Sequence, residues 1–255
     1  MPVTVSFNGD RSRAAFTLSH PKGNIITDEM VRALRAGLES AAQNPHLKLL
    51  TLEGEGGDFS FGASIPEHVP EQIAAVLPEM HALVEDLLDV PAVTAAIVRG
   101  RCLGGGFELA LACDLIFCSR DATFGLPEIT LGVFPPAGSV LLPLRIGTAR
   151  SMPAILTGES SAADAWQSAG LVQVLADARD LAAAVDRWFD AHLAAKSAVA
   201  LRHAAAAARA PLRSQVRALL PDAERLYLQE LMHTHDAREG IAAFLQKRTP
   251  GWQDR

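Results

Sequence analysis

Two glutamates twenty residues apart, Glu108 and Glu128, are the residues of this 255-residue chain best placed to move protons. Glu108 follows a glycine triplet in Gly104-Gly105-Gly106-Phe107-Glu108-Leu109-Ala110, and Glu128 follows a proline in Phe124-Gly125-Leu126-Pro127-Glu128. Glycines feeding a helix present unpaired backbone N–H groups at its positive end. Such donors stabilise the oxyanion of a polarised carbonyl while nearby carboxylates transfer protons. Glu108 sits one turn into an otherwise apolar helix, where a carboxylate is costly unless solvated, paired or protonated. Burial there would raise its pKa and suit it to acid–base work. The residues alone leave plainer alternatives open: a tight glycine turn, an exposed helix glutamate, and a helix-start carboxylate at Glu128.

The elements that must carry these groups follow from periodicity. Residues 3–7 and 13–18 read as a hairpin around Asn8-Gly9-Asp10. Thr27 is a candidate N-cap, with Asp28 and Glu29 in the first turn and Met30, Val31, Leu34, Leu38 and Ala41 at helical spacing. Strands are expected at Leu47–Leu52, Val93–Val98 and Leu115–Cys118, and helices over 71–89 and 105–112, with Glu128 on a loop. This alternation implies a parallel sheet with crossover helices. Beyond about residue 145 alanine-rich helical segments dominate, at 149–157, 162–169, 178–194, 197–209, 213–233 and 236–247, with one short strand at Leu171–Leu175. The expectation is an α/β core over 1–195 and a helical C-terminal region over 196–255.

Bulk properties narrow the partners. A net charge of −6 argues against nucleic acid, which needs a basic surface. No run of 18 apolar residues suggests a membrane span, and the N-terminus lacks the pattern of a secretory signal. Cys102, Cys113 and Cys118 form no CxxC pair and read as reduced core thiols, pointing to a cytoplasmic setting. His233 and His235, two apart, fall on different helix faces, so no metal site is expected. His68 reads as structural or as a contact for a polar substrate group, and nothing local marks Tyr227, the only tyrosine, as catalytic.

The ordered set Phe61-Gly62-Ala63-Ser64, Gly104 through Ala110, Phe124-Gly125-Leu126-Pro127-Glu128, Leu131-Gly132-Val133-Phe134-Pro135 and His235 through Arg248 resembles the enoyl-CoA hydratase/isomerase (crotonase) superfamily. The resemblance implies a crotonase-type ββα spiral core with a helical C-terminal trimerisation region. It also implies a hydratase acting on an α,β-unsaturated acyl-CoA thioester through an oxyanion-stabilised enolate. Coenzyme A would be part of the substrate, with no further cofactor, and the chain would assemble as a trimer or dimer of trimers. Carried over by position, Ala63 and Gly105 supply the oxyanion hole, and Glu108 and Glu128 the proton-moving pair. Lys22, Asn24, Phe244 and Lys247 contact CoA. Ser64 replaces the usual Asp, and Pro136-Ala137-Gly138-Ser139 replaces a glycine-rich stretch. With Tyr227-Leu228-Gln229-Glu230-Leu231-Met232, these departures look like the branch that hydrates cyclohexa-1,5-diene-1-carbonyl-CoA. A generic enoyl-CoA hydratase or an isomerase is the alternative reading, and a non-catalytic or RNA-binding member a remote one.

Overall fold

Side chains alternate between the two faces of the central strands, and both faces are buried, which divides the hydrophobic interior into two layers. In the computed structural model, which describes residues 1–255 with Pro70, Glu71, Val174 and Leu175 in backbone alone, six strands form the main sheet. Strands β1 (Val3–Phe7), β2 (Arg13–Leu18), β3 (Leu49–Gly54) and β4 (Val93–Val98) belong to it. A short strand β5 (Arg101–Leu103) precedes β6 (Leu115–Ser119), and β7 (Thr123–Gly125) and β8 (Ser161–Ala162) precede β9 (Val174–Ala176). The order of the main sheet is β1-β2-β3-β4-β6-β9, parallel except for the β1–β2 hairpin. Leu50, Leu52, Ala96, Val98 and Ile116 face one layer, while Leu49, Ala95, Ile97 and Phe117 face the other. Both faces being covered explains why these strands read as nearly continuous apolar runs.

Strands β5, β7 and β8 form a second, three-stranded sheet. The chain leaves β4 at Val98, turns at Gly100 and enters β5 at Arg101; it leaves β6 and enters β7 in the same way. Each repeat thus gives a strand to each sheet before its helix, the ββα spiral.

The helices are α1 (Asp28–Ala42), α2 (Pro70–Asp89), α3 (Gly105–Ala112), α4 (Pro136–Ile146), α5 (Thr148–Thr157), α6 (Ala163–Ser168), α7 (Leu181–Phe189), α8 (Ala198–Arg225) and α9 (His235–Gln246). The Thr27 hydroxyl accepts from the Met30 N–H at 3.2 Å, as an N-cap should. The layer formed by Leu49 and Phe117 is closed by Leu181, Val185 and Phe189 of α7.

Several expectations need correction. The two helices expected over 197–209 and 213–233 are one 28-residue helix that runs through Pro211. Pro211 is exposed, so its missing N–H costs the helix one hydrogen bond without burying an unpaired carbonyl. That helix then passes into a π-helical turn at Leu226–Glu230 and a 3-10 turn at Leu231–His233. Helix α4 was not foreseen, although Pro136 at its first position is a favoured start. The late strand lies at 174–176 rather than 171–175. Glu128 lies in a 3-10 turn, Pro127–Leu131, rather than on an open loop. Val216 and Leu220 of α8 belong to the same buried cluster as Leu50 and Phe107, so the C-terminal helices pack directly on the core.

Candidate active site

A loop and a helix start meet at the head of a largely apolar pocket. The loop after β3 is stitched to β5: Phe59 and Ser60 N–H groups donate to the Arg101 carbonyl, and the Leu103 N–H donates back to Ser60. Gly62 (φ +99°) makes the close approach possible, because a Cβ there would sit 2.9 Å from the Leu103 carbonyl oxygen. The next residue, Ala63, lies against Gly105, whose built Cβ would fall 3.3 Å from the Ala63 nitrogen. Gly105 is the first residue of α3, where N–H groups have no intrahelical partner. Neither the Ala63 nor the Gly105 N–H bonds any described backbone group, and both residues line the pocket.

Glu108, one turn into α3, is buried and also lines the pocket. Its Oε1 accepts from the Gly138 N–H at 2.7 Å, in the first turn of α4. Two effects oppose each other there. Burial raises the pKa, while the Gly138 and Ala137 amides, with the α4 dipole, favour the anion. Burial wins, and the pKa is raised from 4.5 to about 7.

Glu128 has less support, only its own backbone N–H favouring the anion. Its Oε2 is sealed from solvent and has no hydrogen-bond partner among the described residues. Burial first, and the Glu108 charge second, push its pKa well above 4.5. Gly104 (φ +49°) leaves room for this carboxyl, since a Cβ there would lie 2.6 Å from Glu128 Oε1. The two carboxyls are therefore unequal. Glu108 is held ready to ionise near neutrality, and Glu128 is held as an acid.

The remaining walls are largely apolar, including Ile73 and Leu77 of α2, Val133, Phe134 and Ile241 of α9. His68 lines the pocket and its Nδ1 lies 2.9 Å from the Ser64 carbonyl oxygen. That oxygen only accepts, so Nδ1 carries the proton, and burial pushes the ring's pKa down and keeps it neutral.

The expected CoA contacts separate. Asn24 is buried at φ +53° and is engaged within the chain. Its Nδ2 donates to the Glu55 and Asp58 carbonyls at 2.9 Å each, and its Oδ1 accepts from the His20 N–H at 3.1 Å. It braces the loop and has no side-chain polar group left for a ligand. Lys22 is exposed on that same loop. Phe244 is 54% exposed, and Lys247 is not on the helix face at all but caps α9 in a left-handed conformation. Arg101, which sequence reasoning passed over, stacks its guanidinium 4.1 Å from the ring of the pocket-lining Phe61. Tyr227 was also passed over; it is 2% exposed and lines the pocket, its ring 5.5 Å from that of Phe134 in an edge-on contact.

Comparisons with known proteins identify the family. A family model described as enoyl-CoA hydratase/isomerase matches residues 10–255. The cyclohexa-1,5-dienecarbonyl-CoA hydratase of Thauera aromatica is 44% identical over 254 residues, covering 100% of this chain and 98% of the relative. The 2,3-dehydroadipyl-CoA hydratase of Escherichia coli is 34% identical, covering 94% of each chain. Among solved structures, an enoyl-CoA hydratase from Mycobacterium avium subsp. paratuberculosis K-10 superposes with a TM-score of 0.88 at 28% identity, covering 100% of this chain and 99% of the other.

Proposed function

Since the chain belongs to the enoyl-CoA hydratase/isomerase family, we propose that its pocket hydrates a cyclic dienoyl-CoA thioester of the cyclohexa-1,5-diene-1-carbonyl class. The observation that carries this reading is the pair of unpartnered N–H groups, Ala63 and Gly105, beside two buried carboxyls of unequal acidity. The thioester carbonyl oxygen takes the two N–H groups. Because the donors are fixed before reaction, charge moves onto oxygen without reorganisation. Glu108, ionised and anchored on the Gly138 amide, removes a proton from water as the oxygen attacks the ring carbon β to the carbonyl. The dienolate then collapses and takes up a proton, for which the protonated Glu128 is the source. An isomerase needs only one proton-moving carboxylate, and two buried ones support the hydratase. No cofactor beyond the substrate's own CoA is required.

Substrate choice is tested by offering cyclohexa-1,5-diene-1-carbonyl-CoA and crotonyl-CoA in parallel and reading product mass and hydroxyl position. The ring substrate is expected to have the higher kcat/KM. Discrimination by apolar walls is limited, about 1–3 kcal/mol per methylene-sized mismatch, so some crotonyl-CoA turnover is compatible. Equal or faster turnover of crotonyl-CoA would remove the cyclic assignment and leave hydration standing.

The chain is expected to assemble as a trimer or dimer of trimers. Phe244 and Leu245 of α9, 54% and 44% exposed, and the exposed Lys247 face outward, where a neighbour's CoA is the natural occupant. Lys22 and Arg101 supply cations for phosphate beside the chain's own pocket. Light scattering at micromolar concentration should give a mass at least three times that of one chain; a monomer would exclude this assembly. Three buried free thiols fit a reducing, cytoplasmic setting.

A further inference from the structure

The pocket contains one polar group that the steps above leave unused. The Tyr227 side chain is almost completely buried, yet its hydroxyl forms no hydrogen bond with any described group. Packing alone would be served by phenylalanine, because the ring already stacks edge-on against Phe134 and sits among Ile73, Leu77, Val133 and Ile241. A phenol hydroxyl adds a polar atom to such surroundings without adding to their packing. The backbone is also specialised at this point. Tyr227 occupies the second position of the π-helical turn Leu226–Glu230, a local widening that recurs at functional positions.

Most other polar groups of the pocket are committed. The Ala63 and Gly105 amides serve the carbonyl, and the two glutamates exchange protons. The half-buried Thr27 hydroxyl accepts from the Met30 N–H, and His68 directs its Nδ1 proton to the Ser64 carbonyl. Among the lining side chains that are almost fully buried, this leaves the phenol as the hydrogen-bond donor with no assigned task. Burial and the charges of Glu128 and Glu108 all oppose loss of its proton, so it remains a donor throughout. What the reaction introduces into this apolar space is an oxygen atom, first as water and then as a ring hydroxyl.

We propose that Tyr227 is a catalytic residue, whose hydroxyl donates a hydrogen bond to the oxygen added to the acyl ring. The proposal rests on the hydratase reading and extends it: the two amides hold the carbonyl end, and Tyr227 holds the end where the new oxygen appears. It accounts for a phenol in a wall that is otherwise apolar.

The test is Tyr227→Phe, which keeps the ring and its packing. Hydration of cyclohexa-1,5-diene-1-carbonyl-CoA should lose about ten- to a hundredfold in kcat/KM, the range for one hydrogen bond in a closed site. Inhibition by cyclohexanecarbonyl-CoA, which carries neither diene nor hydroxyl, should change less than twofold, and the acid limb of the pH profile should stay in place. A hydrating wild type with a Tyr227→Phe variant within twofold in kcat/KM would overturn the proposal alone. So would a shifted acid limb, which would make Tyr227 a partner of a glutamate. Wild-type protein that hydrates neither ring nor linear enoyl-CoA would overturn the underlying reading and the proposal with it.

Discussion

Replacing Glu108 or Glu128 by glutamine is expected to lower hydration by on the order of 10²–10⁴-fold, the usual contribution of one positioned acid or base. Glutamine preserves volume, and at Glu108 it keeps an oxygen for the Gly138 N–H. The loss therefore reports proton transfer rather than collapse of the site. The pH dependence follows from the same groups. Wild-type kcat/KM should rise with pH through about 7, as the pair loses its first proton, and fall at higher pH, where it loses the second. The two titrate as a pair, so the limbs belong to the pair and not to single residues. Full activity in Glu128→Gln would end the two-carboxyl mechanism.

Both substitutions should also stabilise the fold at alkaline pH. A carboxyl whose folded pKa exceeds its unfolded value binds its proton more tightly in the native state. Its contribution is fully present below about pH 4.5 and is lost as pH rises through the folded pKa, about 7 for Glu108 and higher for Glu128. A neutral amide has no such loss. The variants should therefore melt higher than wild type at pH 8 and by a smaller margin at pH 4. Identical melting curves at pH 8 would show that neither carboxyl is destabilised by burial.

The largest expected effect on stability lies away from the pocket, at Asp114 and Arg209. Arg209 is 5% exposed and tethers α8 to the main sheet. Its Nε donates to Asp114 Oδ1 at 2.6 Å, and its Nη1 donates to the Val90 carbonyl at 2.6 Å. The Ala92 carbonyl accepts from Nη2. Asp114 in turn accepts from the Thr94 N–H at 2.8 Å, at the start of β4. Asp114→Ala leaves a guanidinium buried without its counter-ion. That should cost about 3 kcal/mol, the low end for a broken buried pair because Asp114 retains some exposure. For a chain of this size the melting temperature should fall by roughly 6–12 °C. Removing both charges, as in Asp114→Leu with Arg209→Met, should recover most of that loss. A double variant no better than the single one would mean that the carbonyl contacts, not the ion pair, set the cost.

How much of this was legible in the sequence depends on how local the signal is. The first hairpin has a turn signal between two strands, Thr27 precedes two acidic residues and an apolar helical period, and β4 is an unbroken apolar run long enough to read as a buried strand. The small second sheet was missed because β5, β7 and β8 have three, three and two residues, too few for alternation to show. Helix α4 carries three prolines in or beside eleven residues, a composition that locally disfavours helix, although Pro136 starts it and Pro143 lies inside it. Helix α8 likewise runs on through Pro211 and Pro221, held by its packing on the core. Among site residues, the two glutamates and Gly105 stood out because a chemical type and a turn signal coincide within a few positions. Tyr227 did not, since the π turn that aims it and the wall it joins depend on contacts with distant elements. Asn24 was assigned to a ligand because, with Lys22, it stands where the resemblance places the nucleotide end of CoA. Its left-handed backbone and its bonds to Glu55 and Asp58, which occupy the side chain, exist only in the folded loop.

The C-terminal arm gives the pocket Tyr227 and Ile241, while the amides and carboxyls come from Ala63 through Glu128. The site is thus assembled from two distant stretches of the gene, and Tyr227 brings a donor from the second to the amides and carboxyls of the first. A chimera exchanged within α8 would leave the first stretch intact while replacing part of the wall and the phenol together. Acyl preference and the hydrogen bond to the new oxygen would then change as one unit.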